Sequence, residues 1–344
     1  MPNTTAVRTA QVGAAPFFAG KNKIINGDFN VNQRNFTSTT TATTFGHDRW
    51  RLRSAGGTTT YSTQAFTPGT APVAGYESTN FARLVTSGQS GVNDYASIEQ
   101  PIEDVRTFAG QTVTVSFWAK ASTGTPNIGL TVSQYFGSGG SSVVYTSPAV
   151  QAITSSWVRY SFNVSVPSIS GKTITTSSSL SLWLETSVGA TTSAAGFAAV
   201  GIQNVTIDIW GVQVESGSTA TAFQTATGTI QGELAACRYY YERLLPNSSG
   251  YGYSGVGHYY STTNCYTVQN WQQKRVAPTV TFTAASGFTA NSAGTNRAGT
   301  SIASDQITTW GMDYAITTAA TTIGASAIVG MGGVSSYIEA SAEL

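Results

Sequence analysis

Charge is scarce in this 344-residue chain: only 10% of it is charged, with 17 Lys and Arg against 16 Asp and Glu. An ordinary soluble domain carries about 25%. A formal net charge of +1 without a basic cluster excludes binding to nucleic acid by phosphate neutralisation. Two cysteines, Cys237 and Cys265, are too few to staple a chain of this size and are expected as free core thiols. Long apolar runs are missing as well. Tyr314 to Ile338 is uncharged, but Thr and Gly interrupt it too often for a spanning helix, so no membrane insertion is expected. The opening MPNTTAVRTAQVGAAPFFAG lacks the apolar core of a secretory signal, which predicts synthesis in the cytoplasm without export by the ordinary route.

What is abundant is hydroxyl, glycine and aromatic content. About a quarter of the residues are Ser or Thr, 36 are Gly and 11% are aromatic. Ser and Thr compete with helical hydrogen bonds and Gly is costly in a helix, so a mainly helical protein is excluded. The 40% hydrophobic content is enough to offset chain entropy, which excludes disorder. An all-β protein remains.

Period-2 alternation supports this reading. In Thr112 to Lys120, Val113, Val115, Phe117 and Ala119 share a face opposite Thr114, Ser116, Trp118 and Lys120. Ile128 to Phe136, Trp157 to Val166 and Leu180 to Glu185 repeat the pattern, and Val205 to Glu215 closes the series. One apolar and one polar face per strand predict an N-terminal jelly-roll-like antiparallel β-sandwich over residues 21–215. Residues 216–232 have linker composition. A second, smaller β-sandwich is expected over residues 233–344, opened by a short helix or strand in which Ile230, Leu234, Cys237 and Tyr241 recur at helical spacing.

Chemistry is sparse. His47 and His258 are the only histidines, and neither neighbours a metal-ligand set or a catalytic triad pattern. His47, next to Asp48 and Arg49, reads as part of a polar turn. Glu99, Glu103, Asp104, Glu185 and Asp208 are scattered without selecting an acid/base pair, so no enzyme is expected. The polar sheet face carries more. If those strands share one sheet or one concave surface, Trp118, Tyr135, Trp157 and Trp183 project from a Thr, Ser and Asn background, with Glu185 two residues beyond Trp183. Rings stack on the apolar faces of pyranoses while hydroxyl and carboxylate groups bond their hydroxyls, so these five residues are the candidate carbohydrate site. The competing expectation for each ring is burial under a loop or a neighbouring subunit. Asp28 and Asp208 are candidate ligands of a structural calcium, the one cofactor considered, against ordinary hydrogen-bonding roles.

Several short motifs resemble those of tailed-bacteriophage virion structural proteins of the tail-fibre or minor structural type. They are Asn22 to Arg34 (NKIINGDFNVNQR) followed by Asp48-Arg49-Trp50, then Ile98 to Ile102 (IEQPI), Ser156 to Phe162 (SWVRYSF), Ile209 to Gly217 (IWGVQVESG), Gly232 to Arg243 (GELAACRYYYER), Lys274 to Thr279 and the terminal Ala342-Glu343-Leu344. Their order along the chain is the specific part. The middle also resembles carbohydrate-binding jelly-roll modules. The resemblance implies a non-enzymatic virion protein, made in the host cytoplasm and homotrimeric, acting in adsorption to host surface polysaccharide. The alternative it implies is a capsid or tail decoration protein that binds other virion proteins, with residues 1–20 as an anchoring arm.

Overall fold

The computed structural model describes residues 20–147, 150–245, 251–332 and 336–344. The arm expected over residues 1–20 therefore lies, Gly20 apart, outside the described residues. The chain divides between Leu234 and Ala235 into two compact units, and both are antiparallel β-structures.

The first unit contains β1 (Ser38–Thr39), β2 (Arg51–Ala55), β3 (Thr58–Ala65), β4 (Asn80–Ser87), β5 (Tyr95–Ile102), β6 (Thr112–Ala121), β7 (Asn127–Tyr135), β8 (Val144–Thr146), β9 (Val150–Ala152), β10 (Val158–Ser165), β11 (Ser179–Val188), the one-turn helix α1 (Ala190–Ala194) and β12 (Thr206–Ser216). One sheet runs β1-β3-β4-β12-β6-β10 and the other β2-β5-β11-β7-β8, with β9 also on β7. The chain passes repeatedly from one sheet to the other, the winding of a jelly-roll sandwich.

The alternation read from the sequence explains why the sheets stack. Val113, Val115, Phe117 and Ala119 of β6 are buried with Leu180, Leu182 and Leu184 of β11 and Ile128, Leu130 and Val132 of β7 in one core. Each large side chain buried there contributes about 1.5–3 kcal/mol. In β12 the phase slips: Ile207 and Ile209 are buried in the core and so are Val212 and Val214, because a bulge between Trp210 and Gln213 inserts a residue. Gly211 sits there at φ +65°, with Trp118 where a Cβ would go. Trp210 lies before the bulge on the outer face with Asp208, opposite Trp118, and the bulge after it brings Val212 and Val214 inward.

Residues 216–232 are not a free linker. Glu215 accepts from the Thr221 amide at 2.9 Å, Phe223 packs against the core and Glu233 accepts from the Asn26 amide at 2.7 Å. The helix α2 spans Ile230–Arg238. Glu233 in its first turn also accepts from the Thr227 amide at 2.7 Å and the Thr227 hydroxyl at 2.9 Å. The helical spacing therefore stops short of Tyr241, which opens a strand.

The second unit contains β13 (Tyr241–Leu244), β14 (Tyr251–Tyr259), β15 (Asn264–Asn270), β16 (Thr279–Phe282), β17 (Phe288–Ser292), β18 (Thr295–Ala298), β19 (Ser301–Asp305), β20 (Gly311–Thr317), β21 (Ser326–Gly332) and β22 (Ile338–Ser341). Seven strands form one sheet, β18-β17-β21-β14-β15-β20-β19, and three form another, β13-β22-β16. Their shared core holds Tyr259, Phe288, Tyr314, Ile316 and Val329 from the large sheet with Ile338 and Ala340 from the small one. Cys237 and Cys265 are both buried.

Candidate carbohydrate-binding surface

The four aromatic residues marked by the sequence do not share a face. Trp118 belongs to β6 and Trp157 immediately precedes β10, both in the six-stranded β1-to-β10 sheet, whereas Tyr135 and Trp183 belong to β7 and β11 of the opposite sheet. The condition that their strands share one surface is not met, because the winding of the chain alternates them between sheets.

On the first sheet the outer face is roofed by its own connections. The Trp118 ring lies 5.4 Å from Trp210 and 5.9 Å from Phe223, with the Arg159 guanidinium 4.7 Å from its centroid. Trp157 lies 5.7 Å from Phe66 and 5.4 Å from Phe81, and the Lys120 ammonium is 5.1 Å from its centroid. Both rings pack within an aromatic layer. The two aspartates are also engaged separately. Asp208 is held by Arg83 at 2.6 Å and lies 3.6 Å from Lys120. Asp28 accepts from Tyr76 and Asn30 at 2.7 Å each, and burial raises its pKa despite those bonds. Among the described residues the two aspartates have separate partners, and Asp208 is already neutralised by cations.

The outer face of the second sheet is different. The register aligns Arg51, Glu99, Trp183 and Thr131 in one row across β2, β5, β11 and β7, and Arg53, Ser97, Glu185 and Gly129 in the next. Arg51 donates to Glu99 at 2.8 Å, and Arg53 lies 3.3 Å from the same oxygen. Trp183 is only 6% exposed. Its indole N–H donates to the Ser133 hydroxyl at 2.9 Å, and the Arg53 guanidinium lies 5.0 Å from its ring centroid. The edge of Phe197 meets Trp183 at 5.1 Å. Tyr145 and Tyr95 lie beside Phe197 at 4.9 and 6.1 Å, and all three rings are half-buried. Tyr135, 38% exposed, stands on the same sheet face at the end of β7.

Glu185 explains how Phe197 is held there. Residues 196–200 lie flat on the sheet because Gly129 beneath them has no side chain; a Cβ there would meet Val200 at 2.4 Å and Ala198 at 2.7 Å. The Ala198 amide donates to Glu185 and to the Thr131 hydroxyl at 3.1 Å each, and Ser147 donates to the Gly196 carbonyl at 2.7 Å. Burial pushes the Glu185 carboxyl up to about 8, so it is mostly protonated at neutral pH and acts as a tether. Arginine, tyrosine and hydroxyl groups thus surround an aromatic step whose floor is Trp183.

The sequence reading missed Tyr95, Tyr145, Phe197 and Arg53. Tyr95 and Arg53 were visible in principle, since each alternates onto the polar face of its strand. Tyr145 and Phe197 come from a three-residue strand and a loop, which carry no period.

No protein-family model matches the chain. No curated protein matches it either. Among solved structures it is similar to the enzymatically active domain of tailspike protein 4 of bacteriophage CBA120, at 16% identity over 57% of this chain and TM-score 0.33; the match spans only 22% of that chain. It is also similar to the xylan-binding domain of Paenibacillus barcinonensis Xyn10C, at 13% identity over 60% of this chain and all of that one, TM-score 0.33. A family 11 carbohydrate-binding module of Clostridium thermocellum gives 10% identity over 54% of this chain and 98% of that one, TM-score 0.33. These likenesses are remote, and the functional reading rests on side-chain geometry.

Proposed function

We propose that this is a non-enzymatic virion structural protein, a tail-fibre or receptor-binding component that contacts host surface glycan through the outer face of the β2-to-β8 sheet. One observation carries the reading. The half-buried Phe197 ring meets the fixed floor of Trp183, which lies beside Arg53, and the half-buried rings of Tyr95 and Tyr145 flank Phe197. Rings held in place by a packed floor lose little entropy on binding, and they stack on sugar faces while flanking donors and acceptors bond the hydroxyls. The candidate carboxylates are committed elsewhere: Glu99 to two arginines, Asp208 to Arg83, and Glu185 to a loop amide. This supports binding over hydrolysis. The ordered phage-like motifs support the reading of a virion protein, which we take to be a homotrimer assembled in the host cytoplasm.

The second reading, a decoration protein docked on other virion proteins, is favoured by a shallow groove of about 570 Å³ lined by Val92, Ala190, Ala194, Ala199 and Ile202.

A host-glycan array probed with the full-length protein tests the first reading. Phe197→Ala and Tyr145→Ala are expected to weaken a positive signal at least tenfold while leaving the fold intact. Trp183→Ala is not a clean test, because removing a buried indole costs about 3–5 kcal/mol. Absence of binding to any host glycan, or full binding by Phe197→Ala, would overturn the proposal. Location on the capsid lattice in electron micrographs of the particle would favour decoration instead.

A further inference from the structure

In the second unit, β14 and β15 form a hairpin in which His258 stands directly opposite Tyr266, and β20 follows with Asp313 opposite Val268. Alternation sorts these strands cleanly. Tyr259, Cys265, Tyr314 and Ile316 face the core, so Val256, His258, Tyr260, Tyr266, Val268 and Asp313 share the outer face. They line a concavity of about 430 Å³. The Tyr260 and Tyr266 rings meet edge to face at 5.8 Å, and Tyr260 is 73% exposed.

We infer that this concavity is a second saccharide site, separate from the sandwich face of the first unit and selective for neutral sugars. Two tyrosine rings at an angle offer a stacking wall and a stacking floor. Among the described residues, the His258 ring, the two tyrosine hydroxyls and the Asp313 carboxylate have no hydrogen-bond partner within the chain, so their capacity is available to a ligand. A carboxylate accepts from two adjacent hydroxyls of a pyranose at once. The volume lies in the lower part of the range for small-ligand pockets, which suits one or two sugar rings. Val256 and Val268, 76% and 54% exposed, add apolar contact for the ring C–H groups.

Charge sets the selectivity. Asp313 is the charged residue of the lining, and Asp305 stands opposite it in the register, with no Lys or Arg in the lining to compensate. Two neighbouring carboxylates repel an anionic ligand, so sialylated or uronic sugars are disfavoured relative to neutral ones.

Saturation-transfer NMR on the full-length protein tests this, with lactose, maltose and N,N′-diacetylchitobiose as neutral probes and 3′-sialyllactose as the anionic one. At least one neutral probe is expected to bind, with Tyr260→Ala and Asp313→Asn each weakening it at least tenfold. Chemical-shift changes on sugar addition are expected to centre on β14, β15 and β20, which separates this site from the one on the first unit. Asp313→Asn should also narrow the gap between lactose and sialyllactose. Both variants alter exposed or half-exposed side chains, and circular dichroism checks that they fold. The inference is overturned if no probe binds, if neither variant weakens binding, or if sialyllactose binds as tightly as lactose. It is equally overturned if Val256→Glu lowers the assembled mass in light scattering while no sugar binds, since the face would then be a contact between copies.

Discussion

At the residue scale, the most consequential groups are titratable side chains removed from water. Glu185 is raised by burial to about 8 from an ordinary 4.5. An acid whose folded pKa lies above its unfolded value supports the fold fully below the unfolded pKa, and that support is lost as pH rises through the folded pKa. Stability of the first unit is therefore expected to fall between about pH 4.5 and 8, by up to ~5 kcal/mol from this group. Glu185→Gln keeps an acceptor for the Ala198 amide and should flatten that slope in thermal melts taken across the range. An unchanged slope would show that Glu185 does not hold the Phe197 loop as a neutral acid. His47 has the opposite sign. It is buried against Phe29 and Phe36 and 2.6 Å from the Tyr61 hydroxyl, and burial lowers its pKa to about 3. Its contribution is present above about pH 6.5 and is lost on acidification toward 3. The turn expected at His47 does form, with the Trp50 amide donating to the His47 carbonyl at 2.9 Å, but it is buried, because Asp48 beside His47 accepts from the Gln33 amide at 3.0 Å and meets its polar needs inside the protein.

At the element scale, β13 and the segment after β15 depend on a buried ion pair. The Lys274 ammonium, fully buried, donates to Glu242 at 2.7 Å and to the carbonyls of Arg238 and Gln272 at 2.6 and 3.0 Å. Removing one partner leaves the other charge buried, at a cost of about 3–5 kcal/mol. Lys274→Ala is expected to destabilise the second unit by that amount, read from amide exchange of β14 and β15 in the full chain, while Lys274→Met with Glu242→Leu recovers most of the loss. Equal instability of the single and double variants would contradict this. The strands themselves were largely legible in the sequence. Val113, Val115, Phe117 and Ala119 advertise the inward face of β6 by alternation alone. The slip in β12 was legible too, since its apolar residues shift from odd to even positions at Trp210-Gly211. Tyr259 to Trp271 reads as one strand but folds as the end of β14, a turn and β15. The turn is made by Ser261, whose hydroxyl accepts from the Asn264 amide at 3.0 Å. A serine in a serine-rich chain does not mark a turn by its identity.

At the scale of the whole molecule, low charge acquires a use. Two units with polar, weakly charged surfaces present aromatic rings among hydroxyls, on the β2-to-β8 sheet of one and around Tyr260 and Tyr266 of the other. The two proposed sites on one chain, multiplied by the proposed association, would raise avidity without new contacts at either site. The homotrimer proposed above predicts a mass near three times the 35.9 kDa chain in light scattering at micromolar concentration. A monomer under those conditions would refute it.

The sequence by itself determined the fold class and the inward faces of the long strands, because alternation and composition are local properties. Only the tertiary structure decided which rings are accessible. Trp118 and Trp183 have the same local pattern, yet one lies under Phe223 and the other under Phe197 on opposite sheets. Which loop covers which face depends on how the chain winds between sheets and on contacts between residues far apart in sequence, such as Gly129 beneath Ala198 and Val200, and no local period encodes those.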